Sequence, residues 1–301
     1  MRSAAPYIVA RRQQRFGTLD WVLLALLTVI LGYAVYRTAV QLHYQWNWSV
    51  VARYFVKTDA ATGAWTGNLL LEGLLATVRL SILGIVLATL IGLPVALARR
   101  ANRLLPRLLA GLYVEAARNT PPLVLIFILY FFVAGHLIEA LGIQAWARTL
   151  DPATVGWVNL LFGPPTLLGN FLSGLFCLVL IETAYTAEII RAGLGSVDRG
   201  QIEAGKALGL RPWQVMLLVV LPEAVRNAVP ALAGQFVQLV KASSIVSLIS
   251  VQELTFAGAQ VATSTRRFFE IWLTVALVYF VLCFALSLVA RRLERRFAST
   301  S

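Results

Sequence analysis

Six stretches of this chain are apolar over close to the length of a bilayer crossing: Trp21–Tyr36, Gly73–Ala98, Leu123–Leu141, Leu167–Ile190, Ala228–Ile249 and Ile271–Ala290. A helix needs about 20 such residues to span hydrocarbon. Inside hydrocarbon every backbone amide must be satisfied by the chain itself, which leaves only helices or closed barrels. No ten-residue alternation of apolar and polar residues is present, so a barrel is not expected. With 59% hydrophobic and 13% charged residues, the chain is too apolar for an ordinary soluble domain. The expected fold is an all-α membrane protein with about six transmembrane helices.

The net charge of +12 is explained by where the basic residues fall. Arg2, Arg11, Arg12 and Arg15 precede the first stretch, Arg99, Arg100, Arg103 and Arg107 follow the second, and Arg191, Arg199, Lys206, Arg211 and Arg226 lie between the fourth and fifth. Arg291, Arg292, Arg295 and Arg296 follow the sixth, which places 17 basic residues on one side. The other side holds 6, namely Arg37, Arg53, Lys57, Arg148, Arg266 and Arg267. Basic residues favour the cytoplasmic side, so both termini and the loop after the fourth stretch are expected to be cytoplasmic, and no nucleic-acid role is needed to explain the charge. Cys177 and Cys283 fall inside apolar stretches and read as packing residues, and His43 and His136 have no metal-ligand spacing around them.

The expected organisation is a basic tail over residues 1–19, a first helix (retained, not cleaved) with an outer segment over 20–68, a core membrane domain over 69–296 and a short tail over 297–301. The second outer segment, 142–166, is expected to hold a short interfacial helix. No internal repeat is present.

The loop of residues 196–222 is polar and punctuated by glycine. Asp198 can cap a helix beginning near Gly200, because its carboxylate accepts free amide protons there. Gly209 suits the left-handed residue that ends such a helix. Pro212 suits the first turn of a second helix, and Pro222 is expected to interrupt that helix before the fifth span. Small residues, Ala204, Gly205 and Ala207, leave room for a partner's backbone, and Glu203 and Lys206 put charge at the rim. Gly200 to Lys206 also fits the first seven positions of a phosphate-binding loop. Its eighth is Ala207, where a magnesium-ligating Ser or Thr is required, and no strand precedes it. Nucleotide binding by this chain is therefore excluded.

Glu203-Ala204-Gly205, Gly209 and Val219-Val220-Leu221-Pro222 resemble the E-A-A-x-x-x-G and I-x-L-P signature of permease subunits of ABC importers. Six further segments resemble the polar amino acid branch of that family. They are Gly73 to Thr77, Tyr113 to Pro121 with Glu115 and Arg118, Ala184 to Arg191 with Tyr185 and Glu188, Ser196 to Ala204 running into the signature, Lys241-Ala242-Ser243-Ser244, and Glu253-Leu254-Thr255. The chain departs from the pattern at Leu125, where many members have Gln, and in its longer outer segment after the third span.

The resemblance implies a type I importer permease fold in the bacterial inner membrane. It implies two ABC ATPase subunits holding the Glu203–Gly209 helix, a second permease copy or sister permease, a solute-binding protein outside, and surrounding lipid. It implies no cofactor in this chain, since ATP and magnesium would be bound by the partner ATPase, and no catalytic or metal site. The alternatives are a secondary transporter, or an ABC permease for another small solute such as an amino acid derivative or opine.

Charges within spans are costly unless they face the interior or a partner, and they are functional candidates for that reason. Arg79, Glu182, Tyr185, Gln238, Lys241 and Ser244 are the candidates for a substrate path. Two readings stay open: Glu182 or Lys241 meets the amine or carboxylate of a passing amino acid, or they pair with each other or with Gln235 and Gln238. Ser243, Ser244 and Ser247 could line a path or bond their own helix carbonyls. Glu188 is expected to be structural or gating, and Glu115 and Arg118, at i and i+3, are expected to pair locally.

Overall fold

A computed structural model describes residues 17–41, 44–58 and 63–298. The basic stretch with Arg2, Arg11, Arg12 and Arg15, His43, and residues 299–301 lie outside the described residues. The chain divides into two units, one ending at Asn47 and one starting at Trp48.

The first unit contains α1, Thr18–Gln41. Leu19, Val22, Leu26, Val29 and Ile30 are all exposed along it. Its apolar stretch, Thr18–Tyr33, is shorter than those of the five helices long and apolar enough to cross a membrane.

All five of those helices belong to the second unit. It opens with α2, Ser49–Phe55, and an antiparallel hairpin pairing β1, Val56–Thr58, with β2, Trp65–Gly67. Asn68 then starts α3, Leu69–Arg99: its Oδ1 accepts from the Leu69 amide at 2.8 Å, and its Nδ2 donates to the Arg53 carbonyl at 2.7 Å. A surface helix, α4, Leu104–Asn119, leads to the second crossing. That crossing is built from α5, Pro122–Leu129, a wide π turn at Tyr130–Ala134, and α6, Gly135–Ala140. The predicted interfacial helix of the next segment is in fact two helices, α7, Ile143–Arg148, and α8, Pro152–Phe162; Asp151 caps α8 by accepting from the Ala153 and Thr154 amides at 3.2 Å.

The third crossing, Pro165–Gly195, contains α9, Leu168–Gly195, which forms the axis of the unit. α3, α4 and the fourth crossing all pack on it. Small residues let the backbones approach closely, which is the usual basis of helix association in lipid. A Cβ added at Gly92 of α3 would sit 2.6 Å from Thr186 Oγ1 and 3.1 Å from the Ala187 amide nitrogen. Thr186 also donates to the Ala88 carbonyl across the same contact, at 2.9 Å.

After α9 come α10, Arg199–Ala207, α11, Pro212–Val215, and α12, Leu221–Ala242. Here the structure corrects the expectation for Pro222. The helix is not interrupted, and the fourth crossing runs unbroken from Pro212 to Ile249. A π turn at Met216–Val220, in which the Leu221 amide reaches back to the Met216 carbonyl, precedes the proline. The extra residue in that turn widens the backbone where the proline ring would otherwise meet a carbonyl and where its missing amide would otherwise leave a gap. α13, Leu254–Thr265, and α14, Phe268–Ala298, complete the unit.

Three apolar clusters run down this bundle. Leu70, Leu254, Val261 and Ile271 join α3, α13 and α14; Leu80, Ile126, Leu178 and Val246 surround the middle of α9; and Ala96, Val114, Ala187 and Val220 close the end near α10.

Candidate functional site

The loop after α9 folds as a capped helix and turn. The Asp198 carboxylate accepts from the Gly200 amide at 2.5 Å and starts α10. Gly209 ends it with a φ of +78°, a conformation that costs glycine least. The Gly209 amide donates to the Lys206 carbonyl at 2.9 Å, and the Leu210 amide to that of Gly205 at 3.2 Å. Glu203, Ala204, Lys206 and Ala207 are exposed. Gly205 is not: it is buried against Val215 and Val219, and a Cβ there would lie 3.4 and 3.5 Å from them. The small residue read as room for a partner is instead the seat of α10 on the start of the fourth crossing. Leu208, 82% exposed, and Trp213, 58% exposed, add a large apolar surface beside α10. Trp213 is the one missed from the sequence, although a large aromatic residue in a polar loop was the available signal.

Arg99, Glu115, Glu188 and Arg191 meet at this same end. Arg99 Nη1 lies 2.6 Å from Glu188 and Nη2 lies 3.4 Å from Glu115; Arg191 also pairs with Glu188. The expected Glu115–Arg118 pair does not form. Asn119 donates to Glu115 at 3.0 Å, while the Arg118 guanidinium lies 6.0 Å from the centre of the Tyr185 ring. The reason is the geometry of α4. Arg99 closes on Glu115 from the end of α3, leaving Arg118 to reach the aromatic face on α9.

In the middle of the bundle Glu182 is 4% exposed and accepts from Gln235 Nε2 of α12 at 2.7 Å. Of the pairings considered for it, this one is present. Lys241 is exposed on another face of α12 and takes part in none of the ion pairs among the described residues. Ser243, Ser244 and Ser247 each donate to the carbonyl three residues back, at 2.8, 2.7 and 2.6 Å. Asn227, Ala231, Gly234, Gln238 and Lys241 are all exposed, and their spacing of three and four residues puts them on one stripe. A stripe of amides, small residues and a cation is poorly suited to lipid, so it should face a partner or a polar passage. Asn227, Ala231 and Gly234 are residues that counting charges within spans does not find.

Arg79 stands apart from these. It lines a cavity at the opposite end of the bundle, and its Nε donates to the Leu160 carbonyl at 2.9 Å. That end also holds a buried carboxylate that pairs with no cation among the described residues. Glu253 caps α13 by accepting from the Phe256 amide at 2.9 Å, and it accepts from Tyr279 at 2.6 Å and from Thr77 at 3.3 Å. Burial pushes its pKa above the ordinary glutamate value. No grouping of His, Cys, Asp and Glu suited to a metal occurs among the described residues.

Residues 81–299 match the family described as binding-protein-dependent transport system inner membrane component. The glutamine transport system permease protein GlnP of Escherichia coli (strain K12) is 33% identical over 228 residues, covering 76% of this chain and 92% of that protein. A solved structure of an amino acid ABC transporter with histidines superposes with a TM-score of 0.61 at 31% identity, covering 76% of this chain and 94% of the other. An inward-facing MetNI methionine ABC transporter shares the fold at 20% identity, with a TM-score of 0.54, covering 76% of this chain and 96% of that one.

Proposed function

The chain belongs to the family of binding-protein-dependent transport system inner membrane components, and from that premise we propose that it is the permease subunit of an ATP-driven importer of polar amino acids, glutamine first among them. It is a multi-pass inner-membrane protein. The positive-inside bias puts both termini and the α10 loop in the cytoplasm, so the α13 end faces outward. Two ATPase subunits, which bind the ATP and magnesium, hold α10 by its exposed face and by Leu208. A binding protein delivers the amino acid outside. A second permease copy or sister chain covers the exposed stripe of α12, and the passage lies between the two.

The observation that carries this reading is the unbroken mechanical path from α10 to the middle of the membrane. Gly205 seats α10 against Val215 and Val219. Those residues belong to the same 38-residue crossing as Gln235, and Gln235 holds Glu182. A push on α10 therefore displaces α12 as a body, a rigid-body transition between packed elements. Displacement would separate Gln235 from Glu182 and leave a carboxylate free to meet an amino acid's ammonium group. Gln238, Lys241 and Ser244 lie along the same helix toward the outer side, where Lys241 suits the substrate's carboxylate.

The test is uptake of labelled L-glutamine by vesicles holding the permease, its ATPase and its binding protein. ATP-dependent accumulation is expected. Accumulation by this chain alone on an ion gradient would sink the proposal in favour of a secondary transporter. Gly209→Leu should uncouple the machine: ATP hydrolysis continues and uptake falls, because leucine cannot hold a φ of +78° without strain. Wild-type coupling in that variant would remove the loop from the mechanism.

A further inference from the structure

We propose that the cavity at the α13 end is an entry site that binds a zwitterionic α-amino acid before it reaches the passage between permeases. This deepens the transport reading and rests on it.

The cavity has a volume of about 320 Å³ and lies between the first turns of α3, the end of α8 and the start of α13. Such a volume is at the small end of ligand pockets and ample for one amino acid. Its walls hold a cation and an anion that feel each other's charge but form no ion pair among the described residues. Arg79 spends only its Nε, on the Leu160 carbonyl, and forms no ion pair among the described residues, though the charge of Glu72 acts on it. Glu72, on the same wall, accepts no hydrogen bond among the described residues. The side-chain amides of Asn159, Gln252 and Gln260 also line the cavity, and none is engaged among the described residues. A bundle that satisfies Glu182, Glu188 and Glu253 leaves these five polar side chains largely unspent in one place.

The spacing selects the ligand. Glu72 and Arg79 are seven residues apart on α3, so they share a face and are separated by about 10 Å of helix rise. An α-amino acid carries its own ammonium and carboxylate a few ångström apart, and two long side chains on one helix face can converge on both across that rise. Arg79 would take the carboxylate in a forked contact, Glu72 the ammonium, and the three amides a polar side chain. A simple anion would satisfy Arg79 and leave Glu72 repelled. A simple cation would do the reverse.

The experiment places a cysteine in the cavity wall, Ala76→Cys, in a chain whose Cys177 and Cys283 are replaced by serine. This chain is assembled with its ATPase and partner permease in vesicles of phosphatidylcholine and phosphatidylglycerol. An impermeant maleimide labels it from outside, with L-glutamine present and binding protein absent. Glutamine is expected to slow labelling. Arg79→Gln and Glu72→Gln should each raise the glutamine concentration required by about tenfold or more, the loss expected for one charge-assisted hydrogen bond. Arg79→Lys, which keeps the charge but loses the fork, should fall between. Glu72 is exposed, so Glu72→Gln decides the matter if Arg79→Gln fails to insert. Protection that is absent from the parent chain, or unchanged in both Gln variants, overturns the site. So does labelling that ignores glutamine and instead slows when phosphatidylethanolamine is added, which would identify a lipid headgroup as the occupant. ATP-dependent uptake in the same vesicles, measured with binding protein, separates this failure from failure of the transport reading.

Discussion

α9 and α12 are neighbouring helices of similar character, and they bury opposite amounts of themselves. In the α9 crossing 72% of the most apolar stretch is buried; in the crossing that contains α12 the figure is 22%. Both carry polar groups in the membrane. α9 turns Glu182, Thr183 and Thr186 inward, whereas α12 turns Asn227, Gln238 and Lys241 outward. The difference teaches which helix is finished within this chain and which is not. α9 has its neighbours. α12 presents a polar and small-residue stripe that is exposed among the described residues of its own unit, and bilayer lipid does not solvate such a stripe well.

The largest expected effect strikes the finished helix. Gly92→Leu would drive a side chain into Thr186 and the α9 backbone, and overpacking of this kind costs about 1–3 kcal/mol or more. Loss of folded protein on detergent extraction, read by monodisperse yield and thermal unfolding, is the expected outcome. Full yield would mean that α9 is less tightly enclosed than it looks.

Gly234→Leu probes the unfinished helix. A Cβ there meets nothing within 4 Å, so the isolated chain should keep its thermal stability to within about 0.5 kcal/mol. Assembly and uptake should fail, because the added bulk occupies the partner's place. An isolated chain that lost stability, or a complex that assembled normally, would erase the contrast between the two helices.

A third test uses the carboxylate beyond the end of α12. Glu253 is buried among uncharged donors, and its pKa is raised by burial. A raised carboxyl pKa means that the folded state favours the protonated form. The resulting stability is complete below the ordinary glutamate range and is lost as pH rises through the folded value. Thermal stability should decline over that window in the parent chain, and Glu253→Gln should flatten the decline. An identical pH profile in both would show that Glu253 is not the group responsible.

The smallest effect concerns the seat of α10. Gly205→Ala adds a methyl at ordinary contact distance from Val215 and Val219, and alanine is favoured over glycine in a helix by about 1 kcal/mol. A neutral or slightly raised melting temperature with normal uptake is expected. Lost uptake would show that the partner, not Val215 and Val219, occupies the space beside Gly205.

Much of this contrast was legible in the chain itself. Apolar runs located every crossing of the second unit, since hydropathy over about 20 residues is a strong local signal. Asp198, Gly209 and Pro212 marked α10 and its turn, because caps and left-handed residues act locally. What escaped were features set by neighbours distant in sequence. Pro222 read as a helix breaker, yet the π turn at Met216–Val220 absorbs it. Glu115 and Arg118 had the spacing of a pair, yet Arg99 arrives from another helix and takes Glu115. Gly205 read as an outward residue because helix periodicity does not say which face of a short loop helix meets the bundle. The pairing of Glu182 with Gln235 was among the options but could not be chosen, since 53 residues separate them.

The most direct measurement places a photoreactive side chain at Gly234 on α12 and, as the internal reference, at Leu178 on α9, in the assembled transporter. The probe at Gly234 is expected to capture a permease chain, either a second copy or its sister, and the probe at Leu178 to capture only its own chain. Capture of lipid alone at Gly234, with no permease adduct in a complex that still imports, would contradict the claim that this face is completed by a second permease.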